Sequence, residues 1–498
     1  MTQTNQDKTG VLIANPSQPT FATLYALGNR PPSVGNIQFG NGVGIYVATD
    51  GDDESGDGSL GAPYKEINKA LSVMELGDTI ILRAGTYYES TALSAFVSAQ
   101  TWFSHPCALG LLISGEIDNR CSMIAFPGDE GLVIIDGGGT QVGLHINDQD
   151  YWNFYGIRIE NCREAGIINN GQVPDRIPNL ENLSTGVRIE NCLIDGVTGA
   201  EGNNISGIGP WGTKDWIIRN LFIKNISAEG STLASAIQTY GCINMIVEHI
   251  KTDAVDFGIF LKDHFVETDS PTTPYAGVEV RYCELKCKGS SINIGIRGSG
   301  SCEAGFEYIH HNVMFGFDGT TEEAVQARMG GAQGQSTRVR LAHNIIDITT
   351  GATTHFSASA FAQIESWGNI LCGGSLALTT LYDDDENAIT RITESDYNVY
   401  TNFQVIPNRY GANSMTFNDI ATWQAATAGT PQHLGLSNPD SHSIVVSASS
   451  LFTDRAANDY SYAGGSGAIG LMPDGTNAGA YQLSTEVLGL LPTYSAGV

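Results

Sequence analysis

The chain has 498 residues, with 53 acidic against 25 basic side chains and a formal net charge of −28. A surface this acidic repels nucleic acid and anionic lipid, so we expect neither as a partner. No apolar run reaches the roughly 18–20 residues that a membrane-spanning helix needs, so no membrane association is expected. Glycine is abundant, at 59 residues, and short β-branched runs lie between Gly, Asn and Asp, which predicts a mostly β chain.

Four regions follow one another along the chain. The predicted regions are an extended leader over 1–42, an N-terminal cap with the first coils over 43–140, a strand-repeat core with an active groove over 141–400, and a C-terminal capping segment over 401–498. In the second region an apolar helical face over 67–74 lies between Pro63 and Gly77. This pattern predicts a short helix that covers the open end of a strand stack.

The first ten residues, MTQTNQDKTG, lack the basic and apolar parts of a secretory signal. We expect an extracellular, secreted protein whose signal is absent from this sequence, or a virion-associated one. A monomer and a homo-oligomer both stay open, and a trimer is expected if the protein is phage-derived.

The core region repeats itself at an irregular period, with coils of about 22–35 residues, as solenoids do. One series of strands, exemplified by Gly186-VRIENCLIDG and Thr337-RVRLAHNIID, bends at one recurring position. The residues in register at this bend are Cys162, Cys192, Leu221, Ile250, Cys283, Asn312, Asn344, Asn369 and Asn398. We interpret the cysteines as small buried hydrophobes, and the stacked Asn side chains as partners for turn backbone, so the column is predicted to be structural.

A second series carries a different column. Its segments are Ile208-Gly-Pro-Trp211, Ile237-Gln-Thr-Tyr240, Ile259-Phe-Leu-Lys262, Ile294-Gly-Ile-Arg297 and Val325-Gln-Ala-Arg328. In stacked strands the apolar anchor points into the core and the fourth residue points outward. The pattern predicts a solvent-facing row of two aromatic rings followed by three cations.

The entry module, IYVATDGDDESGDGSLGAPYKEINKAL followed by GDTIILRAGTYYES, and the closing elements SDYNVYTN and GSGAIG resemble the pectate-lyase-like superfamily. The resemblance implies an all-β, single-stranded right-handed parallel β-helix with a short N-terminal capping helix and a less regular C-terminal cap. Within that superfamily, FGIFLKDH and NIGIRGSG resemble the Lys and Arg strands of alginate lyase and chondroitinase B-type polysaccharide lyases. The likeness implies that Lys262 is the base and that Arg297 assists it. The family's calcium carboxylates are not matched, since Val255 and Phe257 stand in their places.

β-Elimination from a polyuronate needs neutralisation of the carboxylate, a base for the α proton and an acid for the leaving oxygen. We predict Lys262 as base, Arg297 and Arg328 as carboxylate clamps, and Tyr240 as acid or second base. Trp211 is the predicted sugar-stacking platform. Further substrate-binding candidates beside the row are Gln238, Gln326 and His264. The expected partner is an anionic polysaccharide.

Two other function classes stay open. A β-helix glycoside hydrolase of the tailspike kind needs two carboxyl groups, for which Asp253 and Asp256, with Asp263 beyond them, are the candidates. A non-catalytic glycan-binding or virion surface protein would use the row for binding alone. No cofactor is required by the predicted chemistry, but Ca2+ stays open, with Asp253 and Asp256 as its candidate ligands.

Overall fold

The fold consists of three stacks of parallel strands, which we name ladders A, B and C. The computed structural model describes residues 39–89, 106–170, 183–200, 204–230, 234–262, 276–296, 306–318, 323–329, 337–348, 354–359, 362–374, 376–381, 391–408, 415–428 and 437–496. Ladders A and B merge into one 22-stranded sheet, because the two longest strands belong to both, and ladder C forms a 13-stranded sheet. The predicted parallel β-helix is confirmed.

Each ladder takes one strand from each successive coil. Ladder A contains β1 Gly44–Val47, β2 Thr79–Leu82, β5 Cys121–Ala125, β8 Trp152–Tyr155, β12 Arg188–Glu190, β15 Ile217–Ala228, β17 Met245–Val255, β19 Ala276–Arg281, β22 Phe306–His310, β25 Thr337–Ala342, β28 Ala362–Trp367 and β31 Arg391–Asp396. Ladder B contains β3 Gly85–Tyr87, β6 Val133–Asp136, β9 Arg158–Arg163, β13 Leu193–Gly199, β15, β17, β20 Glu284–Cys287, β23 Val313–Phe315, β26 Ile345–Ile348, β29 Ile370–Gly373, β32 Val399–Tyr400 and β35 Ile444–Val445.

Ladder C carries the outward row. It contains β4 Cys107–Gly110, β7 Val142–His145, β10 Ala165–Asn170, β14 Ser206–Lys214, β16 Ser235–Ile243, β18 Phe257–Lys262, β21 Ile292–Ile296, β24 Glu323–Met329, β27 Thr354–Ser359, β30 Leu376–Leu381, β33 Val405–Asn408 and, antiparallel at its end, β34 Met415–Phe417. The short strand β11, Ser184–Thr185, pairs with β14.

The remaining described elements are few. They are α1 Ile67–Val73, α2 Ile420–Gln424, two 3-10 turns at Ala448–Ser450 and Arg455–Ala457, and the antiparallel hairpin of β36 Phe452–Asp454 with β37 Asp459–Tyr462. The predicted helix α1 is confirmed, and it buries Ile67, Ala70 and Leu71. Among the described residues, neither helix is long and apolar enough to cross a bilayer.

Ladders A and B meet at a sharp bend on each coil from β12 to β31. The residue at the bend adopts positive φ of about 53–62°, and we name these residues the bend column: Asn191, Asn220, His249, Tyr282, His311, His343, Gly368 and Tyr397. A single residue in this left-handed conformation bends the chain sharply, and the side chain that follows it points inward.

The inward column predicted at the bend is confirmed from Cys192 onward, but the placement of Cys162 in it is wrong. Strand pairing sets Cys162 against Val197, and it sets Leu193 against Arg158, which brings Ile157 level with Cys192. Cys192 and Cys283 are buried and free, and burial raises the pKa of each thiol to about 12. The later members, which we name the asparagine stack, are Asn312, Asn344, Asn369 and Asn398, each at most 1% exposed. Each Asn Nδ2 donates to the Oδ1 of the next Asn, at 3.0, 3.0 and 3.2 Å, and Asn398 donates to Asp440 Oδ1 at 2.9 Å.

Residues 482–496, named here the C-terminal strap, run back across the bend column. Ser495 N donates to Asn191 Oδ1 at 2.9 Å, Leu491 N donates to Asn220 Oδ1 at 2.8 Å, and Gly489 O lies 3.2 Å from His249 Nδ1. The strap therefore contacts three successive coils that lie 304, 271 and 240 residues before it in sequence.

Candidate active site

The core side of ladder C is built on the apolar anchor column. Strand pairing aligns Ile208, Ile237, Ile259, Ile292 and Val325, all fully buried in the main hydrophobic core. The anchor predicted on the fourth coil was Ile294, and this register is wrong by two residues. The error arises because Ile292, Ile294 and Ile296 share one parity, so alternation alone cannot choose among them.

The outward column follows three places after each anchor. Pairing sets Trp211 against Tyr240, Tyr240 against Lys262, Lys262 against Gly295, and Gly295 against Arg328. Four of the five predicted members are thus confirmed in one register. The fifth, Arg297, stands two residues beyond Gly295 and outside the described residues, as does the candidate His264.

Gly295 changes the shape of the cationic end. Neighbouring parallel strands lie about 4.8 Å apart, so the strands of Lys262 and Arg328 are roughly 10 Å apart with a glycine between them. The column therefore has no side chain of its own on the strand between Lys262 and Arg328.

The aromatic end is closed instead of open. Trp211 is only 6% exposed, and its ring packs edge-on to Tyr240 with centroids 5.1 Å apart. It belongs to an outer apolar cluster with Cys107, Val142, Ala165 and Ile168, which is separate from the main core. The prediction of a solvent-facing stacking platform at Trp211 is therefore wrong, because the outer face of the early coils is apolar and covers the ring.

Lys262 is half-buried, and its ammonium group touches three described side chains. The Nζ atom lies 4.2 Å from the ring centroid of Phe260 and 4.8 Å from that of Tyr240. It also donates to Asn204 Oδ1 at 3.1 Å. Aromatic faces and an amide oxygen all stabilise a positive charge, so the resting geometry holds Lys262 as a cation beside the phenol of Tyr240.

The two glutamine candidates are engaged by the protein. Gln238 is fully buried and donates from Nε2 to Asn204 Oδ1 at 3.0 Å. Gln326 is 4% exposed and donates from Nε2 to Glu323 Oε2 at 2.8 Å. Both lie on the outer side of ladder C, one place after the anchors. Their side chains are buried and bonded within the protein, so in this conformation they are not open to a ligand.

Three residues of this face were not singled out from the sequence: Asn204, Phe260 and Glu323. Phe260 stands two places before Lys262 and so shares its outward parity, a signal that could have found it. Asn204 precedes β14 and reaches Lys262 only through the winding of the chain, and local sequence contains no sign of that contact.

The carboxylates proposed for metal binding are paired with lysines of the next coil. Asp253 Oδ1 lies 2.7 Å from Lys286 Nζ, and Asp256 Oδ1 lies 3.1 Å from Lys288 Nζ. Asp256 Oδ2 also accepts from the backbone N–H of Ala228 at 3.3 Å. In the part of the chain that the structure describes, no group of three or more potential ligands could hold a metal ion. Each of the two carboxylates thus faces an ammonium group of the next coil.

Histidines concentrate at the bend, away from this face. His249, Tyr282, His311 and His343 stack along the bend column with centroids 5.4, 5.1 and 5.1 Å apart. Burial lowers the pKa of His249 to about 4, of His311 to about 3 and of His343 to about 4. The three histidine rings are therefore neutral near pH 7, and they stack with Tyr282 along the bend column.

One family model matches the early coils of the solenoid. Residues 45–208 match the family model described as Pel9A-like, right handed beta helix region. Pectate lyase PEL9 of Emericella nidulans is 30% identical over 158 residues, which make up 29% of this chain and 35% of that protein. The aligned part thus spans about a third of the relative's length.

Solved structures give a more distant likeness. Pectate lyase Pel9A is 12% identical with a TM-score of 0.43, covering 88% of this chain and 96% of its own. XylC in complex with xylose is also 12% identical with a TM-score of 0.43, covering 72% of this chain and 83% of its own. At these scores neither likeness carries an argument about chemistry.

Proposed function

Because residues 45–208 match the model of the Pel9A-like right-handed β-helix region, we propose that the protein is a polysaccharide lyase that cleaves a uronate-containing polysaccharide by β-elimination. The observation that carries the proposal is the register of ladder C, in which Tyr240, Lys262, Gly295 and Arg328 follow one another on adjacent strands. The partial likeness to a pectate lyase supports the reaction class and suggests pectate as the first substrate to test.

The proposed mechanism assigns one task to each side chain. Arg328, with Arg297 beyond the described residues, clamps the uronate carboxylate, since a guanidinium matches a carboxylate with two parallel hydrogen bonds. This neutralisation makes the proton α to the carboxylate more acidic. Lys262 takes that proton as the base after it has given up its own to solvent, which neighbouring arginines favour. Tyr240, next to Lys262, gives its proton to the leaving glycosidic oxygen, and a double bond forms in the new non-reducing sugar.

Side-chain cations supply the whole neutralisation in this proposal, so no metal step is included. The lysine pairing of Asp253 and Asp256 supports that choice and also weakens the hydrolase alternative, which needs one protonated and one ionised carboxyl group. Under the proposal a chelator leaves turnover unchanged. Loss of turnover on chelation, restored by Ca2+, would overturn this part.

A non-catalytic glycan-binding protein is the second candidate. The contacts that hold the Lys262 ammonium, two aromatic faces and the Asn204 oxygen, favour it, because they suit a fixed cation better than a base. Such a protein would bind the same anionic polymer through the same face and leave it intact.

One assay separates the candidates. The protein is incubated with polygalacturonate, alginate, glycosaminoglycans, rhamnogalacturonan and ulvan, and each mixture is followed for ultraviolet absorbance and for reducing ends. A lyase produces both signals, since the unsaturated product absorbs. New reducing ends without absorbance would replace the proposal with hydrolysis, and retention of the polymer with neither signal would replace it with binding.

A further inference from the structure

We propose that Asn204 is a positioning residue that fixes the ammonium group of Lys262 in the outward column; the inference deepens the proposed function and uses the same site. Asn204 lies just before β14, two strands of ladder C before the one that carries Lys262. Its Oδ1 accepts from Lys262 Nζ at 3.1 Å and from Gln238 Nε2 at 3.0 Å. One amide oxygen therefore connects three successive coils.

The ammonium group determines how both amides are oriented. A lysine ammonium has only donors, so Asn204 must turn its oxygen, and not its Nδ2, towards Lys262. With that oxygen fixed, Gln238 must present Nε2 to it. Gln238 Oε1 then faces away, and no donor among the described residues reaches it, although the residue is fully buried. Since a buried acceptor without a partner is unfavourable, the amide pair is arranged around the lysine and not for its own hydrogen bonding.

The two aromatic contacts alone would leave the ammonium loosely placed. Attraction to the faces of Phe260 and Tyr240 depends weakly on direction, and the lysine side chain has four rotatable bonds. The Asn204 oxygen adds a directional bond on a third side. It thereby sets the position of Nζ relative to the ring of Tyr240.

Two substitutions separate this role from simple fastening of the loop before β14. In Asn204→Asp the carboxylate still accepts from both Lys262 and Gln238, so a fastening role survives, but an ion pair now holds Lys262 as ammonium. In Asn204→Ala both bonds are lost. A positioning role predicts that Asn204→Ala changes the reactivity of Lys262 while the melting temperature stays near the wild type, whereas a fastening role predicts a lower melting temperature without a change at Lys262. Asn204→Asp tests whether the side chain at position 204 reaches Lys262 Nζ in solution.

The readout is the acetylation rate of Lys262 in the full chain, measured by peptide mass spectrometry over a pH series. Lys251, which forms an ion pair with Glu284 at 3.0 Å on the merged sheet, is the internal reference. We expect Asn204→Ala to raise the Lys262 rate roughly tenfold, the lower end for a hydrogen bond to a charged group. Asn204→Asp is expected to lower the rate and move its pH midpoint upward, with an unchanged melting temperature.

Equal Lys262 rates and equal midpoints in the wild type and Asn204→Asp would overturn the proposal, even if Asn204→Ala fails to fold. Because labelling does not require turnover, its outcome is independent of the elimination assay. Where elimination occurs, the acid limb of the kcat/KM profile is expected to shift upward in Asn204→Asp. A wild type without elimination but with the predicted labelling shifts would refute the proposed function alone.

Discussion

The asparagine stack and the outward column are both columns of side chains in register across coils, yet they differ in what they repeat. In the stack the same amide recurs on four coils, and each copy makes nearly the same bonds to its neighbour. In the outward column the residue type changes at every coil, from Trp211 through Tyr240, Lys262 and Gly295 to Arg328. Repetition of one chemistry satisfies the scaffold's own polar groups, whereas the changing series is the feature that the proposed function assigns to a substrate.

The largest expected effect is on turnover. Lys262→Ala removes the proposed base, and we expect kcat to fall by about 10²- to 10⁴-fold, the usual contribution of a positioned acid or base. The melting temperature should change little, because Lys262 is half-buried on the outer face. Steady-state kinetics on the best substrate of the panel measure the loss. Lys251→Ala is the matched control and should retain wild-type kcat. Retained turnover in Lys262→Ala would refute the assignment.

The second effect is on stability alone. Asn344→Ala removes the acceptor of Asn312 N at 3.1 Å and of Asn312 Nδ2 at 3.0 Å, and the donor to Ile309 O at 2.9 Å. At least two fully buried groups lose a partner, so we expect the free energy of unfolding to fall by about 2–5 kcal/mol. Chemical denaturation measures the change, and kcat below the melting temperature should be preserved. In the control Asn402→Ala, an exposed amide that bonds Gly374 O is lost, and the change should stay within about 0.5–1 kcal/mol. Equal destabilisation of the two variants would contradict the contrast.

A smaller effect is expected at the far end of the outward column. Arg328→Ala removes a proposed carboxylate clamp, and we expect KM to rise roughly 10- to 100-fold, the value of a charge-assisted hydrogen bond. Lysine at this position should recover only part of the loss, since it cannot bind both carboxylate oxygens in a fork. Arg83→Ala, which breaks an exposed ion pair with Asp129 near the start of the solenoid, serves as the control. A KM in Arg328→Ala equal to that of the control would remove Arg328 from the site.

The smallest effect concerns pH and the bend column. Burial, followed by the nearby Arg219 and Arg281, lowers the pKa of His249 to about 4, so the unfolded chain takes up a proton near pH 6.5 that the folded protein refuses. Stability should therefore decline as pH falls from about 6.5 to about 4, and His311 and His343 add to the same decline.

His249→Asn tests this pH dependence. Asn fits the positive φ of the bend and already occupies the two preceding positions, Asn191 and Asn220, where it bonds the strap. We expect a melting temperature near the wild type at pH 7 and a shallower decline towards pH 4. Thermal melts across this range measure both, and an unchanged slope would assign the decline to other groups.

The success of sequence reasoning followed the specificity of the local pattern. The inward column from Cys192 onward was correctly aligned because strings such as HHN, AHN and WGN admit one register each. The string ENC occurs twice, and matching its two copies set Cys162 where Ile157 lies. The strand NIGIRG has apolar residues at every second place, so its register was misread and Arg297 was set where Gly295 lies. Parity predicted the outward direction of Trp211, but not its burial, because the cover comes from apolar side chains on earlier coils.

Contacts between coils set the remaining limits. The pairing of Asp253 with Lys286 and of Asp256 with Lys288 joins residues more than 30 positions apart, and the contact of Asn204 with Lys262 spans 58. Each depends on the length of a particular coil, which varies along this chain. No local signal announces such pairs, so the fold class was accessible from sequence and much of the site's surroundings was not.

The asparagine stack has a direction, and this has a consequence for how such a solenoid can vary in length. Every Asn Nδ2 in the row donates to a residue nearer the C-terminus, so the last Asn needs an acceptor that lies beyond the row. Asp440 is that acceptor, and it also receives Tyr400, Trp423 and Ser443. A whole coil bearing Asn could therefore be inserted or removed within the row without leaving an unmatched amide, whereas truncation before Asp440 would leave the last donor unanswered.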